Sequence, residues 1–169
     1  SSDEFARAVG YPRAPLDDLL VFHIVFGKSV PDISLNAVAN LGYAECGFSQ
    51  AVYCGDTLSS QSEIIGLKEN SSAKTGTVYA RTTGFNQRGE VVLSYVRWVM
   101  VRKRDEASPA PVAHVPELAK VAALPTAPKI TNWNFEVSGS PHRFDDYAIG
   151  EKIDHLDGVT VEEAEHQMA

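Results

Sequence analysis

The sequence is poor in the residues that build metal centres, disulfide frameworks and phosphate-binding loops. Only two of its 169 residues are cysteines, Cys46 and Cys54, and the five histidines are scattered away from them. The spacing of a zinc site is therefore missing, and so is a glycine-rich loop of the kind that holds nucleotide phosphates. The sequence predicts a protein without a metal or a nucleotide cofactor.

Basic charge and long apolar runs are also scarce. Fifteen Lys and Arg residues face 22 Asp and Glu residues, and the net charge of −7 lacks the footprint of nucleic-acid binding. The only basic cluster, Arg102-Lys103-Arg104, comes where a strand is expected to end and is interpreted as a solvated face. No apolar run reaches the roughly 20 residues of a membrane span, and no signal-like segment opens the chain. We therefore expect a cytoplasmic protein without nucleic-acid or membrane partners.

The most apolar stretch lies between Pro15 and Gly27 and predicts a buried helix. Within it only Asp17, Asp18 and His23 are polar. Proline suits the first turn of a helix, glycine suits its end, and two aspartates suit the positive end of the helix dipole. A helix that is apolar all round must be buried on nearly every side. We expect this hub helix to be the element around which the domain folds.

The chain after the hub is expected to form four strands. They are predicted at about 41–53, 57–67, 77–85 and 90–102, with a hairpin loop at 86–89. The fourth is apolar on both faces, which indicates that both faces are covered. One cover is the hub helix, and the other is expected to be a second sheet, another subunit or another domain.

The two ends of the chain carry weaker signals. Residues 2–9 predict a short helix capped by Ser2 or Asp3. Residues 105–141 contain six of the nine prolines and predict an extended linker, which Trp133 and Phe135 are expected to tack down. A strand-like segment from Phe144 and a capping box at 160–163 indicate the start of another domain.

Four short motifs, in a fixed order, resemble a known family. Leu35-Asn-Ala-Val-Ala-Asn-Leu-Gly-Tyr-Ala-Glu45 and Val52-Tyr-Cys-Gly-Asp-Thr-Leu58 are followed by Phe144-x-x-Tyr-x-Ile-Gly-Glu151 and Val159-Thr-Val-Glu-Glu-Ala-Glu165. They are similar to a strand entry, a Pro-Gly-Asp-Thr turn, an opening strand and a first helix of MaoC-type enoyl-CoA hydratases, with Cys54 in place of the usual proline. The run from Leu16 to Glu45 more narrowly resembles mesaconyl-CoA (methylmalyl-CoA) hydratases, which carry two hotdog repeats on one chain.

The resemblance implies an α+β hotdog fold, in which an antiparallel sheet wraps round a buried central helix. Residues 1–104 would be the first repeat of a double hotdog, without its opening strand and active-site loop. Residues 105–143 would be a Pro-rich linker, and residues 144–169 the start of the second repeat. The family's catalytic pair would then lie before Ser1 or after Ala169, so no catalytic residue is assigned within the chain. We interpret the sequence as an internal fragment of a chain roughly twice as long.

The implied function is that of a lyase. The chain would be part of an enoyl-CoA hydratase or dehydratase that acts on a branched dicarboxylic enoyl-CoA such as mesaconyl-CoA. Its partners would be an acyl-CoA substrate and further copies joined through hotdog sheets, and its only coenzyme would be the coenzyme A of the substrate. The alternatives are an acyl-CoA thioesterase on the same fold, a non-catalytic hotdog half that supplies part of the acyl tunnel, and a lipid-binding barrel.

Five polar residues are candidates for substrate binding: Asp17, Asp18, His23, Asn36 and Asn40. His23 is expected to be either a buried core histidine or a residue of the acyl pocket. The two asparagines flank the strand entry where the family builds that pocket, although turn chemistry explains them equally well. The two aspartates stand where the family often has His-Gly, and a carboxylate would oppose a developing oxyanion. We therefore expect this repeat to be the structural one.

Arg97 interrupts an apolar strand. A buried arginine needs a carboxylate or phosphate partner. We expect it to pair with Glu63 or Glu45, or to reach coenzyme A.

Overall fold

The computed structural model describes residues 2–119, 133–139 and 142–155, together with Gly158 and Thr160. The chain forms two compact units, one of Leu16–Thr126 and the other of Ser1–Pro15 with Ala127–Ala169. The larger unit contains the hub helix and the sheet. The predicted division into two repeats and a linker stays a prediction.

The smaller unit contains the short helix predicted near the start of the chain. Helix α1 spans Asp3–Ala8, and the backbone N–H of Phe5 donates to the Ser2 hydroxyl at 3.4 Å. The Asp3 carboxylate also accepts a hydrogen bond from Ala14 N–H at 2.8 Å, which holds the chain after the helix. The predicted helix and its Ser2 cap are confirmed.

The same unit contains the aromatic residues that were expected to tack down the linker. Trp133 packs edge-on against Phe5, with ring centroids 4.9 Å apart, and Phe135 lies beside Trp133. Phe144–Asp146 is a single 3-10 turn, so the strand predicted to begin at Phe144 is wrong for the described residues. The helix predicted from the capping box at 160–163 lies outside the described residues.

Helix α2, the predicted hub, spans Asp18–Ile33 and is longer than expected. It continues through Gly27 and includes Pro31 before ending at Ser34. Gly27 does not end the helix because Ser29, beyond it, is buried against the sheet. Tertiary packing here outweighs the weak local preference of one glycine.

Only one face of α2 is buried. Val21, Val25 and Ser29 lie four residues apart along the helix and are at most 4 % exposed. Leu19 is 66 % exposed and Ile24 39 % exposed. The prediction that the hub is buried on nearly every side is therefore wrong for this chain, and its outward side is apolar yet open.

The sheet has four antiparallel strands in the order β1-β4-β3-β2. Their bounds are β1 Ala37–Phe48, β2 Ser59–Glu69, β3 Thr75–Phe85 and β4 Val91–Arg102. The last three lie within two residues of their predicted positions, whereas β1 begins earlier and ends at Phe48. The predicted hairpin loop joins β3 to β4, with Asn86 N–H bonded to the Glu90 carbonyl at 3.0 Å and Gly89 at φ +76°.

The core lies between α2 and the sheet. Val21 and Val25 pack with Leu93 and Tyr95 of β4, and both strand residues are completely buried. Burial of each such side chain contributes roughly 1.5–3 kcal/mol. At Gly84 of β3, an added Cβ would lie only 2.7 Å from a methyl carbon of Val25, so this glycine lets the helix approach closely.

The first part of the linker returns to the β2 edge of the sheet. Residues 105–119, which we call the strap, return to the sheet, and His114 forms an antiparallel bridge with Leu67 through hydrogen bonds of 2.8 and 2.9 Å. Pro116 lies so close to Gly66 that a Cβ there would meet its ring at 2.6 Å. The expected second cover of β4, a second sheet, another subunit or another domain, stays a prediction.

Gly84→Ala should destabilise the intact protein by about 1–3 kcal/mol, because the new methyl group overlaps the side chain of Val25. Urea unfolding measures the change. Gly76→Ala, on the same strand, is the matched control, since its Cβ would meet only the Lys68 carbonyl at 3.4 Å. Equal stability of the two variants would contradict the close approach of α2.

Candidate functional site

The N-terminus of α2 is closed by the carboxylate of Asp17. One oxygen of this side chain accepts hydrogen bonds from Leu19 N–H at 2.8 Å and Leu20 N–H at 3.3 Å. These are the free donors that a helix N-terminus offers to an anion. Asp18 follows in the first turn and is exposed. Since the Asp17 carboxylate already occupies these two donors, they are not available to a developing oxyanion.

His23 lies on the exposed side of α2. Its ring meets the edge of Phe22, with centroids 5.7 Å apart. The alternative of a buried core histidine is therefore wrong. A pocket role stays a prediction.

The two candidate asparagines occupy different settings. Asn36 is exposed in the turn between α2 and β1. The side-chain amide of Asn40, on β1, donates to the hydroxyl of Tyr43. Asn36 thus lies in a turn and Asn40 bonds to an aromatic side chain, and a role of either residue in substrate binding stays a prediction.

Four rings, which we call the aromatic cluster, join α2 to the sheet. They are Phe22 and Phe26 of α2, Tyr43 of β1 and Tyr95 of β4, with centroids 5.1–6.5 Å apart. Tyr95 is completely buried, while Tyr43 is 45 % exposed. The cluster therefore runs from the core to the surface, where it brings His23 and Asn40 to one side of the fold.

Several large apolar side chains of α2 and β1 are exposed. We call these residues the open face; they are Leu19, Leu20, Ile24, Val38, Leu41 and Tyr43. Exposed apolar patches on soluble domains can mark interaction or ligand surfaces. The sequence indicated the apolar character of α2, but not which side would lie open.

The two edges of the sheet are protected differently. β1 is hydrogen-bonded only to β4, and residues 37–44 carry no charge. β2 carries Glu63, Lys68 and Glu69, and the strap bridges it at Leu67. Charge and covering segments are the usual protection of an edge strand against unwanted pairing. β1 has no charge along residues 37–44, whereas Glu45 near its C-terminal end binds the strap through Ala119. Residues 37–44 are therefore the part of this edge that is suited to pairing with another strand.

Arg97 does not make the predicted ion pair. It is completely buried and donates to the Ser34 hydroxyl and to the hydroxyl and carbonyl oxygens of Ser29. Glu45, one of its two predicted partners, binds Arg81 instead. The prediction failed because it assumed a carboxylate partner, whereas the end of α2 supplies neutral oxygens.

Glu45 fastens the strap to the sheet. It has φ +52° at an irregularity in β1. Its carboxylate accepts a hydrogen bond from Ala119 N–H at 3.0 Å and pairs with Arg81 of β3. The Ala119 hydrogen bond, followed by the Arg81 contact, holds the pKa of Glu45 below its usual value. The ionised carboxylate therefore stabilises this arrangement.

A surface cavity of about 280 Å³ lies between the strap and the ends of β2, β3 and β4. Lys103 on its wall is already engaged, because its ammonium group binds Glu69 at 2.8 Å and the Ser108 carbonyl at 2.6 Å. Within the described ranges, no three His, Cys, Asp or Glu side chains are placed to hold a metal ion. No helix among those residues is long and apolar enough to cross a membrane.

Comparison with known proteins identifies the family. A sequence model of mesaconyl-CoA hydratase matches residues 2–129. The chain belongs to the mesaconyl-CoA hydratase family. It is 63 % identical to the mesaconyl-CoA hydratase of Cereibacter sphaeroides and 56 % identical to the beta-methylmalyl-CoA dehydratase of Chloroflexus aurantiacus. Both matches cover all of this chain but only 51 % and 49 % of those proteins, so the chain spans about half the length of these curated relatives.

Solved structures place this member of the mesaconyl-CoA hydratase family in the hotdog fold. A crystal structure described as a MaoC domain dehydratase of Chloroflexus aurantiacus has a TM-score of 0.78 and 55 % identity, covering 98 % of this chain and 49 % of that one. A Mycobacterium tuberculosis protein described as a double hotdog fold has a TM-score of 0.65 and 26 % identity, covering 81 % and 43 %. The predicted hotdog fold and the predicted family are confirmed.

Replacing Asp17 tests its role as the cap of α2. Asp17→Ala should lower the stability of the intact protein by about 1 kcal/mol, because two backbone N–H groups lose their acceptor. Asp17→Asn should retain most of the stability, since an amide oxygen caps about as well. Thermal unfolding measures both variants. An alanine variant as stable as the parent would contradict the capping role.

Acidification should loosen the strap. Because the pKa of Glu45 is lowered in the folded state, its contribution is present at neutral pH and is lost as the pH falls through that lowered pKa. Hydrogen-exchange protection of the Ala119 amide should fall over this acid range. Glu45→Gln should weaken that protection at neutral pH and abolish its acid dependence.

Asp32→Asn provides the control for the strap. Asp32 is an exposed carboxylate of α2, and its replacement should leave the protection of Ala119 unchanged. Acid dependence that survives in Glu45→Gln would show that another group fastens the strap.

Proposed function

We propose that the protein containing this chain is a hydro-lyase that adds water across the double bond of a branched dicarboxylic enoyl-CoA, with mesaconyl-CoA as the substrate. The observation that carries the proposal is 63 % identity over the whole chain to a mesaconyl-CoA hydratase. The second relative is named for dehydration of beta-methylmalyl-CoA, a reaction of the reverse type. One site can serve both directions, because the acid and the base of hydration exchange roles in dehydration.

Within that protein, we assign this chain the part of a non-catalytic hotdog half. Residues 1–104 would form the first repeat, 105–143 the linker and 144–169 the start of the second repeat. The occupied N-terminus of α2 supports this assignment, because Asp17 takes the donors that would otherwise stabilise an enolate oxygen. Proton transfer would then depend on an acid and a base outside residues 1–169.

The open face and the β1 edge are proposed as the surface on which a second hotdog unit docks. The uncharged residues 37–44 of this edge would extend the sheet through backbone hydrogen bonds, while the exposed apolar residues of α2 would become buried. His23 and Asn40 would then border the acyl group of the substrate. Asp18 and Asn36 are given no contact with the substrate in this proposal. They are exposed polar residues, one in the first turn of α2 and one in the turn that follows the helix.

No cofactor enters this proposal beyond the coenzyme A of the substrate. A cytoplasmic location is also part of it. Cys46 and Cys54 are both exposed and unpaired, as is usual in a reducing compartment.

The intact protein should hydrate mesaconyl-CoA without releasing free thiol. Loss of enoyl-thioester absorbance measures hydration, and a thiol reagent in the same sample measures hydrolysis. Thiol release without hydration would instead indicate a thioesterase.

Substitutions within α2 test the non-catalytic assignment. His23→Ala and Asp17→Asn should each lower kcat less than about tenfold, compared with the roughly 10²–10⁴-fold loss expected on removing a general acid or base. Circular dichroism confirms that the variants are folded. Loss of turnover in both folded variants would contradict the assignment.

A further inference from the structure

Among the described residues, Arg97 is the only charged side chain that is fully buried. On the helix-facing side of β4, it lies opposite Ala80 of β3 and Tyr43 of β1. Burial lowers the pKa of its guanidinium, while nearby Tyr95 and Tyr43 act in the opposite direction. A buried cation without compensation costs several kcal/mol. Its surroundings must therefore offset much of that cost.

The hydrogen-bond acceptors of Arg97 all belong to the C-terminal part of α2. Nη2 lies 3.2 Å from the Ser29 carbonyl and 3.0 Å from its hydroxyl, and Nη1 lies 3.0 Å from the hydroxyl of Ser34, the C-cap residue. The guanidinium carbon also lies 4.7 Å from the centre of the Phe26 ring. Hydrogen bonding and cation–π attraction thus join one strand residue to one helix end.

This helix end lacks a cation of its own. The last turn of α2 has no basic residue, although a helix C-terminus carries partial negative charge. The Ser29 hydroxyl donates to the Phe26 carbonyl at 2.7 Å and accepts from Arg97, so it links the guanidinium to a further backbone carbonyl. Backbone dipoles and hydroxyl oxygens therefore stand in for a carboxylate at Nη1 and Nη2, while the buried Nε has no hydrogen-bond partner among the described residues.

We propose that Arg97 is a positioning residue that clamps the negative end of α2 to the central strand β4. The clamp fixes the helix along the sheet and thereby places Phe22 and Phe26 against Tyr43. Its expected effect on substrate rests on the proposed function, in which this side of the fold borders the acyl group. The clamp itself is independent of that function.

Hydrogen exchange of the intact protein tests the clamp directly. Arg97→Met fills much of the same volume without a charge. The reporters are the Ser34 and Leu35 amides, which donate to the Val30 carbonyl at the end of α2. Their exchange should become roughly tenfold or more faster in this variant. Core amides of β3 and β4 should change much less. Arg97→Lys should restore part of the protection, because it keeps the charge but loses the planar fork.

Arg81→Met is the matched control. Arg81 is a strand arginine paired with Glu45, so its loss should affect the strap and leave the end of α2 unchanged. Ser29→Ala provides a second route if Arg97→Met fails to fold, because it removes one acceptor while retaining the arginine. It should produce a smaller increase in exchange at the same amides.

Kinetics of the intact protein distinguish positioning from direct contact with substrate. Arg97→Met should raise KM for mesaconyl-CoA by roughly tenfold with little change in kcat. Arg97→Lys should raise KM less than Arg97→Met does. The same relative increase is expected for an analogue in which a methyl group replaces the free carboxylate. If KM rose for mesaconyl-CoA but not for the methyl analogue, the proposal would be overturned in favour of direct binding of the substrate carboxylate by Arg97.

Unchanged exchange at the end of α2 in both Arg97→Met and Ser29→Ala would also overturn the proposal, as would Arg97→Lys behaving like Arg97→Met. If the parent protein hydrates neither substrate, the proposed function fails. The exchange experiment still decides whether the clamp exists.

Discussion

The close approach of α2 to the sheet at Gly84 is the constraint on which the larger unit depends. The methyl groups of Val25 occupy the space that a Cβ at residue 84 would need. One helical turn further along the same face, Ser29 lies over Arg97, so the apolar contact and the polar clamp act on one stripe of the helix. Together they determine which side of α2 is buried and which side forms the open face.

This arrangement accounts for an apolar helix that is not wholly enclosed. Its inward stripe completes the core, while Leu20 and Ile24 remain exposed. At its N-terminus, the Asp17 carboxylate satisfies two backbone donors of the kind that could otherwise bind an oxyanion. In the proposed hydratase, the chain would supply shape and a docking surface, and the acid and base would come from outside residues 1–169.

Periodicity was sufficient to predict the hub helix, three of the four strands within two residues and the hairpin at Gly89, because these depend on local pattern. The prediction that the helix ends at Gly27 was wrong, because the helix continues past Gly27 and Ser29 is buried against the sheet. The prediction for Arg97 was also wrong, since the compensating oxygens come from serines 63 and 68 residues away in sequence. The motif order identified the family, but tertiary contacts alone reveal the strap and the exposure of His23.

A double-mutant cycle between Val25→Ala and Gly84→Ala tests the central contact most directly. Each single substitution should destabilise the intact protein in urea unfolding, the first by opening a cavity and the second by overlap. Because the smaller side chain at 25 makes room for the methyl group at 84, the double variant should be more stable than the sum predicts, with a coupling energy of about 1 kcal/mol or more. Additivity within about 0.5 kcal/mol would contradict the contact and, with it, the position of α2.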